Sequence, residues 1–180
     1  MPVMKGGGNI FLVGMMGAGK TTVGRLLARR LRLRFIDSDR EIEGRCGVKI
    51  PVIFEIEGES GFRAREALAI DALTALEGVV LATGGGAVLA EPNRRHLATR
   101  GTVVYLSAKP EDLYERVRHD RNRPLLAGGE PLARLRELHG QRDQLYRAVA
   151  DIVLETGAQS VQSLARQLLD RLEAEWKASA

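Results

Sequence analysis

The residues from Gly14 to Thr21, GMMGAGKT, fit the pattern G-x-x-x-x-G-K-[ST] and sit between an apolar run and a leucine-rich segment. Glycines at this spacing let the backbone turn tightly, so that successive N–H groups point inward around phosphate oxygens. A helix starting near Lys20 adds the positive end of its dipole. Lys20 is then placed to reach β- and γ-phosphates, and the Thr21 hydroxyl to complete a Mg²⁺ shell otherwise made of water and phosphate oxygens. Gly17, Ala18, Gly19, Lys20, Thr21 and Thr22 are the candidate ATP contacts. Two further groups could do chemistry beside them. FIDSD places Asp37 and Asp39 at the end of an apolar run; they project alike if the chain stays extended and diverge if a helix starts after Asp37. ATGGGAV places Gly84, Gly85 and Gly86 after another such run, where consecutive glycines admit close approach to the backbone. That makes them a candidate substrate wall.

The elements that must hold these groups follow from periodicity. Short apolar runs predict strands at Ile10–Val13, Phe35–Ile36 leading into Asp37, Val79–Ala82, Thr102–Leu106 and Asp151–Leu154. Val23, Leu26, Leu27 and Leu31 keep the spacing of one buried helix face, as do Leu132, Leu135, Leu138, Leu145 and Val149. Pro92, Pro110 and Pro131 stand where a first helical turn accepts proline. Alternating strands and helices predict an α/β fold, a parallel sheet covered on both faces. In such a sheet, carboxylates at the C-terminal end of a strand lie on the ligand edge. Two stretches exceed a plain connection and read as functional. Residues 39–77 hold helical segments and a Gly58/Gly61 break, and their first part, about 39–66, reads as a substrate-binding excursion. Residues 118–131, RHDRNRPLLAGGEP, read as a lid. The whole chain, 1–180, reads as one domain.

Composition narrows the classes. No apolar run approaches the roughly 20 residues that span a bilayer, and the opening MPVMKGGGNIFLV lacks the apolar core of a secretory signal. With Cys46 alone, no internal disulfide can form, which fits a cytoplasmic protein. The net charge of +4 admits an anionic partner, but 4% aromatic content is too sparse for a base-stacking platform, so no nucleic acid is expected. A guanine-reading N-K-x-D segment is missing, which argues against a GTPase, and motor motifs are missing too.

Taken in order, GMMGAGKTT, FIDSD, GFRAREA, ATGGGAV, RPLL and QRDQLY resemble the shikimate kinases over about residues 9–170. The resemblance implies a three-layer P-loop kinase fold with a five-stranded parallel sheet of order 2-3-1-4-5. It implies ATP-dependent phosphorylation of the 3-hydroxyl of shikimate, with Mg²⁺, in chorismate and aromatic amino acid biosynthesis. Position by position, it makes Asp39 the shikimate-binding catalytic base, Arg63 and Arg142 the partners of the shikimate carboxylate, and Gly84, Gly85 and Gly86 backbone contacts. Thr21 would ligate Mg²⁺ and Asp37 would hold the ion's water. Arg123 in the lid would close on the ATP phosphates, Arg116 would flank adenine, and Gln159 would add an adenine-side contact. Phe54 and Phe62 would line the ring. Guanidinium forks suit a carboxylate because two parallel donors match its two oxygens.

One departure stands out: where the family usually has R-x-P-x-Y, this chain has Arg142-Asp143-Gln144-Leu145-Tyr146. The missing proline puts the seating of Arg142 in question, and Asp143 beside it is expected to offset part of its charge. The competing readings are a gluconate or other small-metabolite kinase and a non-catalytic ATP-binding sensor. The chain carries no obvious interface stripe, so a monomer is expected.

Overall fold

The computed structural model describes residues 8–119, 124–126 and 128–179. Five strands, β1 (Ile10–Val13), β2 (Arg34–Asp37), β3 (Val79–Ala82), β4 (Thr102–Ser107) and β5 (Ile152–Glu155), alternate with helices. They form one sheet in the order β2-β3-β1-β4-β5 with every pairing parallel. Every residue of β1, β3 and β4 is buried. A parallel sheet covered on both faces produces this, and it explains why the strands read as unbroken apolar runs rather than alternations. The strand boundaries agree with those predicted to within about a residue.

The sheet places the ligand edge. β1 lies between β3 and β4, so the chain leaves it toward β2 and returns later on the other side. That reversal opens a crevice at the C-terminal ends of the strands. Helix α1 (Lys20–Leu31) rises directly from it. Its buried face is Val23, Gly24, Leu27 and Ala28, with Leu26 and Leu31 only half-buried. Gly24 supplies the reason: a Cβ there would come within 2.8 Å of the Phe35 ring, so α1 lies flatter on the sheet than leucine spacing alone predicts.

Between β2 and β3 the chain forms α2 (Ser38–Cys46) and α3 (Ile50–Thr74). The long α3 is interrupted at Gly58 (φ 71°, ψ −176°), a left-handed torsion favouring glycine, whereas Gly61 continues the helix. After a short 3-10 turn at Ala87–Leu89 come α4 (Glu91–Arg100), α5 (Pro110–Val117), α6 (Pro131–Val149) and α7 (Val161–Ala178). Leu135, Leu138, Arg142, Tyr146 and Val149 form the buried stripe of α6, so an arginine and a tyrosine ride on a core face. No helix among the described residues is long and apolar enough to cross a membrane.

Candidate active site

The phosphate loop is built by backbone torsion. Gly17 and Gly19 have φ of 80° and 96°, and a side chain at Gly17 would also strike Val117 at 2.7 Å. Gly19 caps α1 without any side-chain hydrogen bond, and the first helical turn carries no acidic residue. The amide end of α1 thus faces the crevice as an anion-binding surface. The Lys20 ammonium donates to the carbonyls of Gly14 at 2.6 Å and Met15 at 2.8 Å, arching over the same loop. Ala18 is turned inward, 1% exposed, with its amide donating to the Met15 carbonyl at 3.2 Å. Gly17, Gly19, Lys20, Thr21 and Thr22 line a cleft of about 1090 Å³ together with Asp37, Asp39, Gly84, Gly85 and Arg116.

The two aspartates diverge because a helix begins between them. Asp37 caps α2: its Oδ1 accepts from the amides of Asp39 (3.0 Å) and Arg40 (3.3 Å). Its other oxygen accepts from the Thr21 hydroxyl at 2.9 Å. Thr21 and Asp37 therefore present adjoining oxygens to the cleft, a donor set suited to a hard divalent cation that keeps water and phosphate ligands. Among the described residues there is no group of three or more His, Cys, Asp or Glu that could hold a metal ion. Asp39 sits one turn further on, where the cleft meets a second, narrower pocket.

That pocket, about 70 Å³, is walled by Phe54, Phe62, Arg63, Glu66, Gly86 and Arg142, with Met16, Asp39, Ile50, Gly84 and Gly85 shared with the larger cleft. The Phe54 and Phe62 rings pack 4.9 Å apart. Arg63 donates to the Glu66 carboxylate at 2.8 Å, one helical turn away. Arg142 is 2% exposed and Glu66 1% exposed. The Nε atoms of Arg63 and Arg142 and the Oε2 of Glu66 are buried with no hydrogen-bond partner among the described residues. Buried N–H donors are costly to leave unpaired, and guanidinium groups suit anionic oxygen ligands.

Two of the three glycines are dictated by closeness rather than torsion, for none has positive φ. A Cβ on Gly84 would lie 2.7 Å from the Asp39 carboxylate and 3.0 Å from that of Glu66, and one on Gly86 would overlap Arg63. One on Gly85 would make an ordinary contact with the Arg142 guanidinium at 3.4 Å.

The remaining residues sort plainly. Arg116 donates to the carbonyls of Gly17 (3.0 Å) and Gly157 (3.3 Å), bridging the phosphate loop to the loop after β5. Gln159 closes that loop on itself: its side chain accepts from the Gly157 amide at 2.6 Å and donates to the Glu155 carbonyl at 3.0 Å. It does not reach the lining of the cleft. Arg123 lies outside the described residues; Pro124 beside it borders the narrow pocket.

Asp143 departs from expectation. Its carboxylate accepts from the Tyr105 hydroxyl at 2.7 Å and pairs with Arg147 at 3.0 Å, so it is spent on these two partners rather than on Arg142. Burial works to raise its pKa, but these two partners outweigh it and hold it below the usual carboxylate range. Glu66 was the residue whose role the sequence left unassigned, although the i, i+3 spacing within GFRAREA already puts it on the face of Arg63. Burial pushes its pKa up against the pull of Arg63 and Arg142.

Comparison with known proteins identifies the family. Residues 16–173 match the family profile described as Shikimate kinase. A shikimate kinase of Thiobacillus denitrificans is 62% identical over 165 residues, 92% of this chain and 90% of the relative. The solved shikimate kinase of Acinetobacter baumannii in complex with shikimate superposes with a TM-score of 0.92 at 48% identity, covering 96% of this chain and 95% of that one. A gluconokinase from Sinorhizobium meliloti reaches a TM-score of 0.58 at 17% identity over 97% of this chain and 96% of its own, a likeness of fold alone. The chain thus belongs to the shikimate kinase family of ATP-dependent phosphotransferases.

Proposed function

We propose that the protein transfers the terminal phosphoryl group of ATP to the 3-hydroxyl of shikimate, giving shikimate 3-phosphate and ADP, with Asp39 as the base. The observation that carries this reading is the contact of the two cavities. Asp39, Gly84 and Gly85 line both, so a hydroxyl held at Asp39 faces whatever the phosphate loop grips. Arg63 and Arg142 take the shikimate carboxylate, Gly84, Gly85 and Gly86 contact the ring through their backbone, and Phe54 and Phe62 cover its apolar edge. Asp39 accepts the hydroxyl proton as the new oxygen–phosphorus bond forms. Lys20 and the α1 amides meet the charge on the phosphates. Thr21, with Asp37 acting through water, would hold Mg²⁺, which would supply charge neutralisation at the β- and γ-phosphates. Arg116 and Gln159 serve the adenine side, and Arg123 closes on the phosphates from a lid at about 118–131, while residues 39–66 form the substrate-binding excursion. On the same reading the chain is one catalytic domain and works as a cytoplasmic monomer.

A coupled assay for ADP release tests this. Shikimate is expected to support turnover and gluconate is not. Turnover with gluconate instead would replace the substrate, and turnover with neither would leave an ATP-binding sensor.

A further inference from the structure

The wall of the narrow pocket is held at both ends: the Gly84 amide donates to the Ser38 hydroxyl at 3.0 Å, and the amides of Ala87 and Leu89 donate to the carbonyls of Gly84 and Gly86, each at 3.1 Å. Among the described residues the amides of Gly85 and Gly86 donate to no acceptor. The peptide between them is held by one side chain from elsewhere: the Tyr146 hydroxyl donates to the Gly85 carbonyl at 2.5 Å, across 61 positions of sequence. We propose that Tyr146 is a positioning residue for the substrate carboxylate, pinning the Gly85–Gly86 peptide and the Arg142 guanidinium with one hydroxyl group. The inference rests on the functional reading above.

The geometry gives the pin its reach. Tyr146 follows Arg142 by four residues on α6, so both point from one face of the helix into the same region. The Gly85 carbonyl and the Gly86 amide belong to one planar unit, and no cis peptide occurs among the described residues. Fixing the carbonyl therefore fixes the direction of the Gly86 N–H. The α-carbon of Gly86 lies against Arg63, since a Cβ there would overlap its guanidinium. Arg142 borders the same residue, since a Cβ on Gly85 would lie 3.4 Å from its guanidinium, and its positive charge acts to lower the pKa of the Tyr146 phenol. Burial raises the phenol to about 12 despite Arg142, so the group remains a protonated donor at neutral pH.

The ring itself cannot turn away. Tyr146 is fully buried and packs on Tyr105, with ring centroids 4.9 Å apart. Tyr105 is anchored in turn by its bond to Asp143, over which Arg147 closes. This assembly also answers how Arg142 is seated without the proline at Gln144: α6 runs unbroken through the site, and Tyr146 ties it to the glycine wall.

The test compares wild type with Tyr146→Phe, which keeps the ring and removes only the hydroxyl. The KM for shikimate is expected to rise about tenfold, with kcat and the KM for ATP within about twofold. The shikimate Kd from calorimetry should rise in parallel. A contribution to folding alone would lower the thermal midpoint and leave this split untouched. The carboxamide of shikimate adds a cycle: the penalty for losing the carboxylate should be smaller in Tyr146→Phe than in wild type. Tyr105→Phe, which leaves the bond to Gly85 in place, should keep the KM for shikimate within about twofold. An unchanged shikimate KM in Tyr146→Phe, or an equal rise in Tyr105→Phe, overturns the proposal. Wild type inactive on shikimate would take down the functional reading first, and is seen before any variant is made.

Discussion

The two halves of the site are made in opposite ways. The phosphate loop is eight consecutive residues whose glycines hold backbone torsions that other residues avoid, at φ of 80° for Gly17 and 96° for Gly19. The neighbouring pocket draws Asp39, Arg63, Gly84, Gly85, Gly86 and Arg142 from four separate segments, and its glycines have ordinary torsions, with no room for a side chain at Gly84 or Gly86. A loop set by torsion is portable between proteins, which is why it identifies a triphosphate and nothing more. A pocket set by the packing of distant side chains is what distinguishes one acceptor from another.

Breaking the residue that belongs to both halves should have the largest effect. Asp39→Asn is expected to lower kcat by about 10³-fold while ATP affinity stays near that of wild type, as loss of a general base predicts. Near-normal turnover would remove Asp39 from that role. Next comes Arg63→Ala, expected to weaken shikimate by roughly 10²-fold with ATP binding little changed, the scale of a charge-assisted pair. Loss of ATP affinity alone would place Arg63 with the wrong ligand. A glycine pair sharpens the contrast further. Gly17→Ala should raise the KM for ATP, and Gly86→Ala the KM for shikimate, each by about tenfold. Effects on the same substrate would show that the two walls are not separate.

The smallest effect concerns pH. Glu66 has its pKa raised above 4.5 by burial, with Arg63 and Arg142 opposing. The folded protein therefore holds this proton longer than the unfolded chain does. Its contribution to stability is present below the unfolded value and is lost as pH rises through the folded one. In urea titrations at several pH values, the stability of wild type relative to Glu66→Gln should fall across that window. A difference independent of pH would mean that Glu66 ionises equally well in both states.

Legibility in the sequence followed the same division. The phosphate loop, the strands and the α1 start were readable because each depends on neighbours in the chain. The ordered motifs carried the sheet order and the acceptor by family likeness. What escaped was set by tertiary packing. Gly24 moved the buried face of α1 away from Leu26 and Leu31 because Phe35 presses on it. The direction of Asp143 depended on Tyr105, 38 positions away. Glu66 and Tyr146 were visible as letters within GFRAREA and QRDQLY, but only the fold shows that one faces Arg63 and the other grips Gly85.

A crystal structure with shikimate and a non-hydrolysable ATP analogue tests the account most directly. The account predicts the ring carboxylate between Arg63 and Arg142, with a hydroxyl on Asp39 directed at the terminal phosphate. Shikimate bound with its carboxylate away from both arginines, or with no hydroxyl near Asp39, would contradict it.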